Sequence, residues 1–132
     1  MKWEYSPAPE SRAIADIKDR YMPFIDGAFK EGGGEDRDTI NPGTGERLST
    51  VSTVNAEDID RAVTAARRAY QNVWSTMPGA ERGKYLFRIA RAIAERSREL
   101  AVVETLDNGK PIKETRDFDV PAVAQHFFYH AG

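Results

Sequence analysis

A helix has to end within Glu104-Thr105-Leu106-Asp107-Asn108-Gly109-Lys110-Pro111, and no other segment constrains the chain as strongly. Gly109 can enter the left-handed region that closes a helix without a Cβ clash. Pro111 has no N–H and a ring that stop the helix from resuming unbroken. The reading is a helix that runs out at Leu106-Asp107, a reversal at Gly109 and a new start beyond Pro111.

The apolar spacing upstream supplies helices to meet that stop. From Asn55 the hydrophobic period is 3.6: Asn55 caps, Asp58 takes the capping-box position, and Ile59, Ala62, Val63, Ala66, Tyr70 and Val73 form one stripe. Glu57, Asp58 and Asp60 at one end and Arg67 and Arg68 near the other suit the helix dipole. A second helix is predicted after Pro78, burying Leu86, Ile89, Ala90 and Ile93. Ser97 either caps a third helix with Leu100, Val103 and Leu106 inward, or the two run on with a bend. Beyond Pro111 a short helical stretch reaches Arg116. Asp119 then caps a last helix that tolerates Pro121 in its first turn and turns Val120, Val123, Ala124, Phe127 and Ala131 inward.

Before Asn55 the period is 2. Residues 1–20 read as an arm broken by Pro7 and Pro9, with Ser11 capping a short helix that carries Ile14, Ile17 and Tyr21 on one face. Tyr21 to Phe29 reads as strand, turn, strand, because Asp26-Gly27 between apolar runs is a strong hairpin signal. Pro23 restricts the first strand to an edge or to its first residue. Glu31 to Asp36, with Gly32, Gly33 and Gly34, is a surface loop. It lacks the flanking strand, helix and Lys-Ser/Thr pair of a phosphate cradle. A second hairpin unit extends over Asp38-Thr39-Ile40, turns through Asn41 to Gly45 and extends again from Glu46 to Val51.

At 40% hydrophobic and 30% charged residues the composition is that of a folded domain rather than a disordered one. Nineteen basic and 21 acidic residues leave a formal charge of −2, which provides no field to draw nucleic acid or anionic membrane. With no cysteine, these residues form no disulfide, no thiolate metal site and no cysteine nucleophile. No run approaches the roughly 18–20 apolar residues that span a bilayer. Nothing near Met1 has the apolar run of a signal peptide, so the expected compartment is the cytoplasm.

Several segments, in order, resemble the aldehyde dehydrogenase superfamily. Glu104 to Pro111 is similar to its ETLDNGKP signature, Phe24-Ile25-Asp26-Gly27 to its opening hairpin, and Asn41-Pro42-Gly43-Thr44-Gly45-Glu46 to its NPxTGE turn. Asp58 through Arg67 resembles its first long helix. Pro78, Glu81-Arg82-Gly83 and Leu86 resemble the next. Tyr129-His130-Ala131-Gly132 resembles its YYAG, with His130 for the second aromatic. The resemblance covers residues 21–132. It implies an α/β fold of aldehyde-dehydrogenase type, namely the incomplete first part of a cofactor-binding domain: edge β-hairpins followed by a helical layer. It further implies the amino-terminal part of an NAD- or NADP-dependent, oligomeric enzyme that oxidises an aldehyde. The partners implied are the aldehyde and either the remaining polypeptide or further copies, without nucleic acid or membrane. The family's cysteine, general base and nicotinamide contacts all follow the YAG motif, so no catalytic or cofactor-binding residue is assigned on these positions. The rival reading is a non-catalytic helical interaction module that keeps part of the fold.

Four groups of side chains are candidates for chemistry. His126 and His130 share a helix face, but Phe127 stands where a zincin requires Glu and no third ligand is close, so solvent-facing or interface histidines are expected. Arg82, Lys84, Arg88, Arg91, Arg96 and Arg98 interleave with Glu81, Glu95 and Glu99, which reads as a solvated helix face. Phe118 and Ala122 fall where the family borders its substrate tunnel, although packing is the default for such a stripe. Asp107 carries the sharper reading. The resemblance implies that its carboxylate and the backbone oxygen of Ile40 ligate a monovalent cation, as suits a hard ion. The residues themselves equally allow Asp107 to cap, or to hydrogen-bond the hairpin.

Overall fold

The computed structural model describes residues 11–132, so the arm expected at residues 1–10 lies outside the described residues. Ser11 Oγ accepts the Ala13 N–H at 3.2 Å and starts a 3-10 turn, Arg12–Ile14. The turn ends at once, with Ala15 already extended. The expected helix carrying Ile14, Ile17 and Tyr21 is therefore a single turn. So short a helix is marginal in itself, and the sheet claims its far end. Arg20–Tyr21 forms β1, which pairs in parallel with a later strand through Arg20↔Thr50 and Tyr21↔Val51.

Tyr21 is thus no part of the first hairpin, which consists of β2 (Phe24–Ile25) and β3 (Ala28–Phe29). Its turn has positive φ at both central residues, 54° at Asp26 and 79° at Gly27, as a type I′ turn requires. The Phe24 and Phe29 rings meet edge to face at 5.0 Å. β4 (Asp36–Ile40) and β5 (Arg47–Ser52) form the second, antiparallel hairpin, giving a sheet in the order β1-β5-β4.

The glycine loop is more than a surface connection. The Gly32 N–H donates to Ser52 Oγ at 3.0 Å, Gly34 N–H to the Thr53 carbonyl at 3.1 Å and Gly33 N–H to Asp58 Oδ2 at 2.7 Å. The loop's amides thus hold the protein's own carboxylate and hydroxyl. Helix α1 (Ala56–Ala69) begins there with the expected capping box: Asp58 N–H to Asn55 Oδ1 at 3.0 Å, and Asn55 N–H to Asp58 Oδ2 at 3.1 Å. It continues as a wider turn over Tyr70–Trp74, closed by Ser75 N–H on the Tyr70 carbonyl at 2.8 Å.

α2 (Gly79–Glu95) and α3 (Ser97–Asn108) are one rod bent at Arg96, whose φ is −106° and ψ 17°. Leu100 N–H still reaches the Arg96 carbonyl at 3.0 Å, so Ser97 opens α3 without capping it. After Gly109, α4 (Ile112–Glu114) leads into a wide turn, Thr115–Asp119, and directly into α5 (Val120–His130). Asp119 is helical and caps nothing. Pro121 explains the wide turn: its ring leaves no room for the ordinary carbonyl behind it, and Val120 N–H falls back five residues to Thr115.

The core lies where α2, α3 and α5 meet and consists of small side chains: Ala90, Ala101, Val102, Val120 and Ala124. Ile89, Val103 and Val123, expected inside, are exposed, because small residues permit a close helix approach that turns the larger ones outward. Thr115, fully buried, joins α4 to α3 through Thr105 Oγ1 at 2.9 Å and donates to the Ile112 carbonyl. Among the described residues, no helix is long and apolar enough to cross a membrane.

Candidate functional site

The site begins with the end of α3. Gly109 adopts φ 78°, and its N–H closes the helix on the Thr105 carbonyl at 3.0 Å. Asn108 organises the exit: its Oδ1 accepts the Lys110 N–H at 2.8 Å and its amide donates to Glu104. With Asn108 doing this work, Asp107 is left free. Among the described residues no donor or cation contacts its carboxylate. The alternative of a capping or hairpin-bonding Asp107 is thereby not the geometry observed.

The turn after β4 comes up against this helix end. Asn41 is buried, accepts the Gly43 N–H on Oδ1 at 2.9 Å, and offers its carbonyl to Gly45 N–H at 2.8 Å. Its neighbour Pro42 touches the reversal so closely that a Cβ on Gly109 would lie 2.8 Å from Pro42 Cγ. The ladder register shifts between Thr39 and Ile40, the kind of irregularity that re-aims backbone groups. Asp107 and Thr39 line one cleft with Ile17, Tyr21, Leu48, Ser49, Val51 and Val103. Ile40 does not line it; it sits at the end of β4 beside Thr39, with its side chain exposed.

The cleft was not visible in the sequence because its walls come from four separate stretches. The other pairing that sequence reasoning missed is Lys110 with Asp119, an ion pair that ties the reversal after α3 to the wide turn before α5. Asp119 holds the Lys110 ammonium above the ordinary lysine range.

The remaining candidates stay apart. His126 and His130 are exposed and border a shallow apolar hollow with Leu86 and Phe127. Among the described residues, no three His, Cys, Asp or Glu gather as a metal would require. The basic residues of α2 and α3 are distributed over local partners: Lys84 with Glu81 at 2.7 Å, Arg91 with Glu95 at 2.9 Å, Arg96 with Glu99 at 2.7 Å, and Arg88 over the Tyr85 ring at 5.7 Å. This is a solvated helix face. Phe118 projects from the wide turn, 72% exposed, whereas Ala122 is partly covered.

Comparison with known proteins agrees with the folded pattern. The model of the aldehyde dehydrogenase family matches residues 29–132. The Bacillus subtilis (strain 168) protein DhaS is 46% identical over 111 residues, covering 83% of this chain and 22% of DhaS. An NAD+ complex structure of aldehyde dehydrogenase from Bacillus cereus superposes with a TM-score of 0.84 at 37% identity, over 96% of this chain and 26% of that one. Betaine aldehyde dehydrogenase from Staphylococcus aureus, in complex with NAD+, gives 0.82 at 37% identity, over 92% and 24%. The chain spans about a quarter of the length of these relatives. The strand pairs, the capped helices and the reversal at Gly109 thus occur in a sequence that the family model covers over most of its length, and the chain belongs to the aldehyde dehydrogenase family.

Proposed function

We propose that this chain is the amino-terminal part of a cytoplasmic, oligomeric, NAD(P)-dependent aldehyde dehydrogenase that oxidises an aldehyde to a carboxylic acid. Residues 21–132 are the first part of its cofactor-binding domain and residues 1–20 an arm. The observation that carries the reading is the superposition on an NAD+ complex along nearly the whole chain. These residues contain no cysteine, so a thiol nucleophile would come from elsewhere in the polypeptide. When bound, the nicotinamide would supply the hydride acceptor. The role left to this segment is structural: edge hairpins and helices that pack beside the dinucleotide site.

Asp107 and the Ile40 carbonyl are proposed as ligands for a monovalent cation. What supports this is an unpartnered carboxylate at the helix end that packs on the turn following Ile40. An oxygen set of this kind suits a hard ion. The test is a chimera in which residues 1–132 replace the matching segment of DhaS. It should fold and reduce NAD+ with an aldehyde, whereas a folded chimera without NAD+ binding would overturn the reading.

A further inference from the structure

We propose that His126 and His130, on the last turns of α5, form an open two-imidazole site for a borderline divalent transition-metal ion, copper(II) ahead of zinc, with water completing its coordination. The site shares no residue with the Asp107 cleft and does not depend on the cation reading there.

Spacing is the first support. α5 is a regular helix over Val120–His130, so residues four apart lie one above the other, with Cβ atoms roughly 5–6 Å apart. Two imidazoles at that separation can close on one ion, each bonding it at roughly 2 Å. Both side chains are exposed and border the same hollow, so they converge on one volume. Phe127 in place of a zincin's glutamate removes the general base of that motif and leaves its chelating pair.

The surroundings favour an ion of this class. Leu86 and Phe127 complete the hollow, whose volume of about 300 Å3 admits an ion with its waters. No charged side chain lines it. The cations of α2 flanking Leu86 are engaged elsewhere: Lys84 with Glu81 at 2.7 Å, Arg82 with the Trp74 carbonyl at 3.4 Å and Arg88 over the Tyr85 ring at 5.7 Å. Imidazole suits copper, nickel and zinc, whereas magnesium and calcium ask for oxygen. Among the described residues no carboxylate adds a third ligand, so the arrangement is a surface chelate with open positions and not a closed structural cage.

The pair is also held in place. The Ala131 N–H closes the last turn on the Phe127 carbonyl at 3.1 Å, and Phe128 packs edge to face on Phe87 of α2 at 5.1 Å. The His130 ring meets the edge of Tyr129 at 5.1 Å. Ligands fixed by a packed helix lose less freedom on chelation than ligands on a mobile segment.

The probes are copper(II) chloride and zinc chloride, titrated into the chain by calorimetry while the Leu86 methyl resonances are followed, with magnesium chloride as the control. Saturable binding of one ion per chain is expected, tighter for copper than for zinc and absent for magnesium, with copper broadening the Leu86 methyls. Affinity should fall roughly tenfold or more in His126→Gln and in His130→Gln, because a lone imidazole cannot chelate. Adding Gln125→His to His126→Gln restores the number of histidines at a spacing of five and should not restore binding. Unchanged affinity in either single variant, recovery in the double variant, or one ion per two chains would each overturn the proposal. Should a variant fail to fold, the electron spin resonance spectrum of the copper-loaded wild type decides: two equatorial nitrogens support the chelate, and one or none refutes it.

Discussion

The Asp58 carboxylate, almost wholly buried at the start of α1, accepts the N–H of Gly33 at 2.7 Å from 25 residues upstream. The same oxygen accepts the Asn55 N–H at 3.1 Å, and the other meets Arg61. One side chain therefore completes the capping box and fixes the glycine loop to the helix. Asp58→Ala should lower the melting temperature by roughly 5–10 °C, since it removes a cap and strands a loop amide. The Gly33 and Asn55 amides, with Arg61, hold the carboxyl below the usual range. The stabilisation is therefore complete above the unfolded value near pH ~4 and is lost as pH falls through the lower folded value. The gap in melting temperature between wild type and Asp58→Asn should close as pH drops from about 5 to 2; a gap constant across that range would refute the linkage.

Gly32 and Gly27 separate steric from conformational need. A Cβ on Gly32 would overlap the Thr53 carbonyl oxygen, which is backbone and cannot swing away. One on Gly27 meets nothing within 4 Å, and its cost is that of a positive φ alone. Gly32→Ala should cost about 2–3 kcal/mol in urea unfolding, against about 1 kcal/mol for Gly27→Ala. The reverse order would mean that the loop yields easily.

Gly83 should invert the usual helix rule. In a helix interior Gly→Ala ordinarily stabilises by up to about 1 kcal/mol. Here the new methyl would overlap the Ala131 carbonyl and push α5 off α2, where Phe87 and Phe128 meet edge to face at 5.1 Å. Gly83→Ala should therefore destabilise by about 1–3 kcal/mol, whereas Gly79→Ala, with open space around it, should stabilise by roughly 0.5 kcal/mol. Equal effects at the two positions would show that α2 and α5 are not held together at this point.

Local chemistry accounts for what was legible. Asp26-Gly27, the Asn55–Asp58 box and Gly109 are each decided by residues within four of one another, and each stands as the sequence implies. What escaped depends on distant groups. Tyr21 joins a strand rather than the expected helix because β5, some 30 residues on, offers it an edge. Asp119 forgoes capping because Lys110 reaches it across the reversal. The inward face of α3 rotates to Ala101 and Val102 because its neighbours are small, a matter of packing rather than period. The cleft at Asp107 escaped for the same reason, whereas the unpaired state of Asp107 follows from Asn108 taking the turn's hydrogen bonds.

Dinucleotide binding by these residues alone should be negligible. The parallel pairing among the described strands is two residues long, β1 on β5, and no glycine turn joins a strand to a helix N-terminus there. That geometry is what holds a pyrophosphate. Calorimetric titration with NAD+ should show no saturation in the micromolar range, and a micromolar dissociation constant would place a binding surface where none is expected.

The stripe of α1 leads to the last prediction. Ile59, Val63, Tyr70 and Val73 are 51%, 50%, 57% and 55% exposed although their spacing is that of a buried face. Leaving even a few hundred Å2 of such surface wet forgoes several kcal/mol at ~25 cal/mol per Å2, comparable with the whole stability of a domain. Surfaces of this kind attract either a partner or one another. The purified chain should bind a hydrophobic dye and self-associate, and Val63→Glu with Val73→Glu should reduce both by placing charge in the middle of the stripe. The change leaves the Asn55–Asp58 capping box of α1 untouched, so the helix itself should persist by circular dichroism. A monodisperse monomer with a sharp two-state melt and no dye signal would mean that residues 1–132 cover this face by themselves, and would favour a self-sufficient interaction module over one part of a larger enzyme.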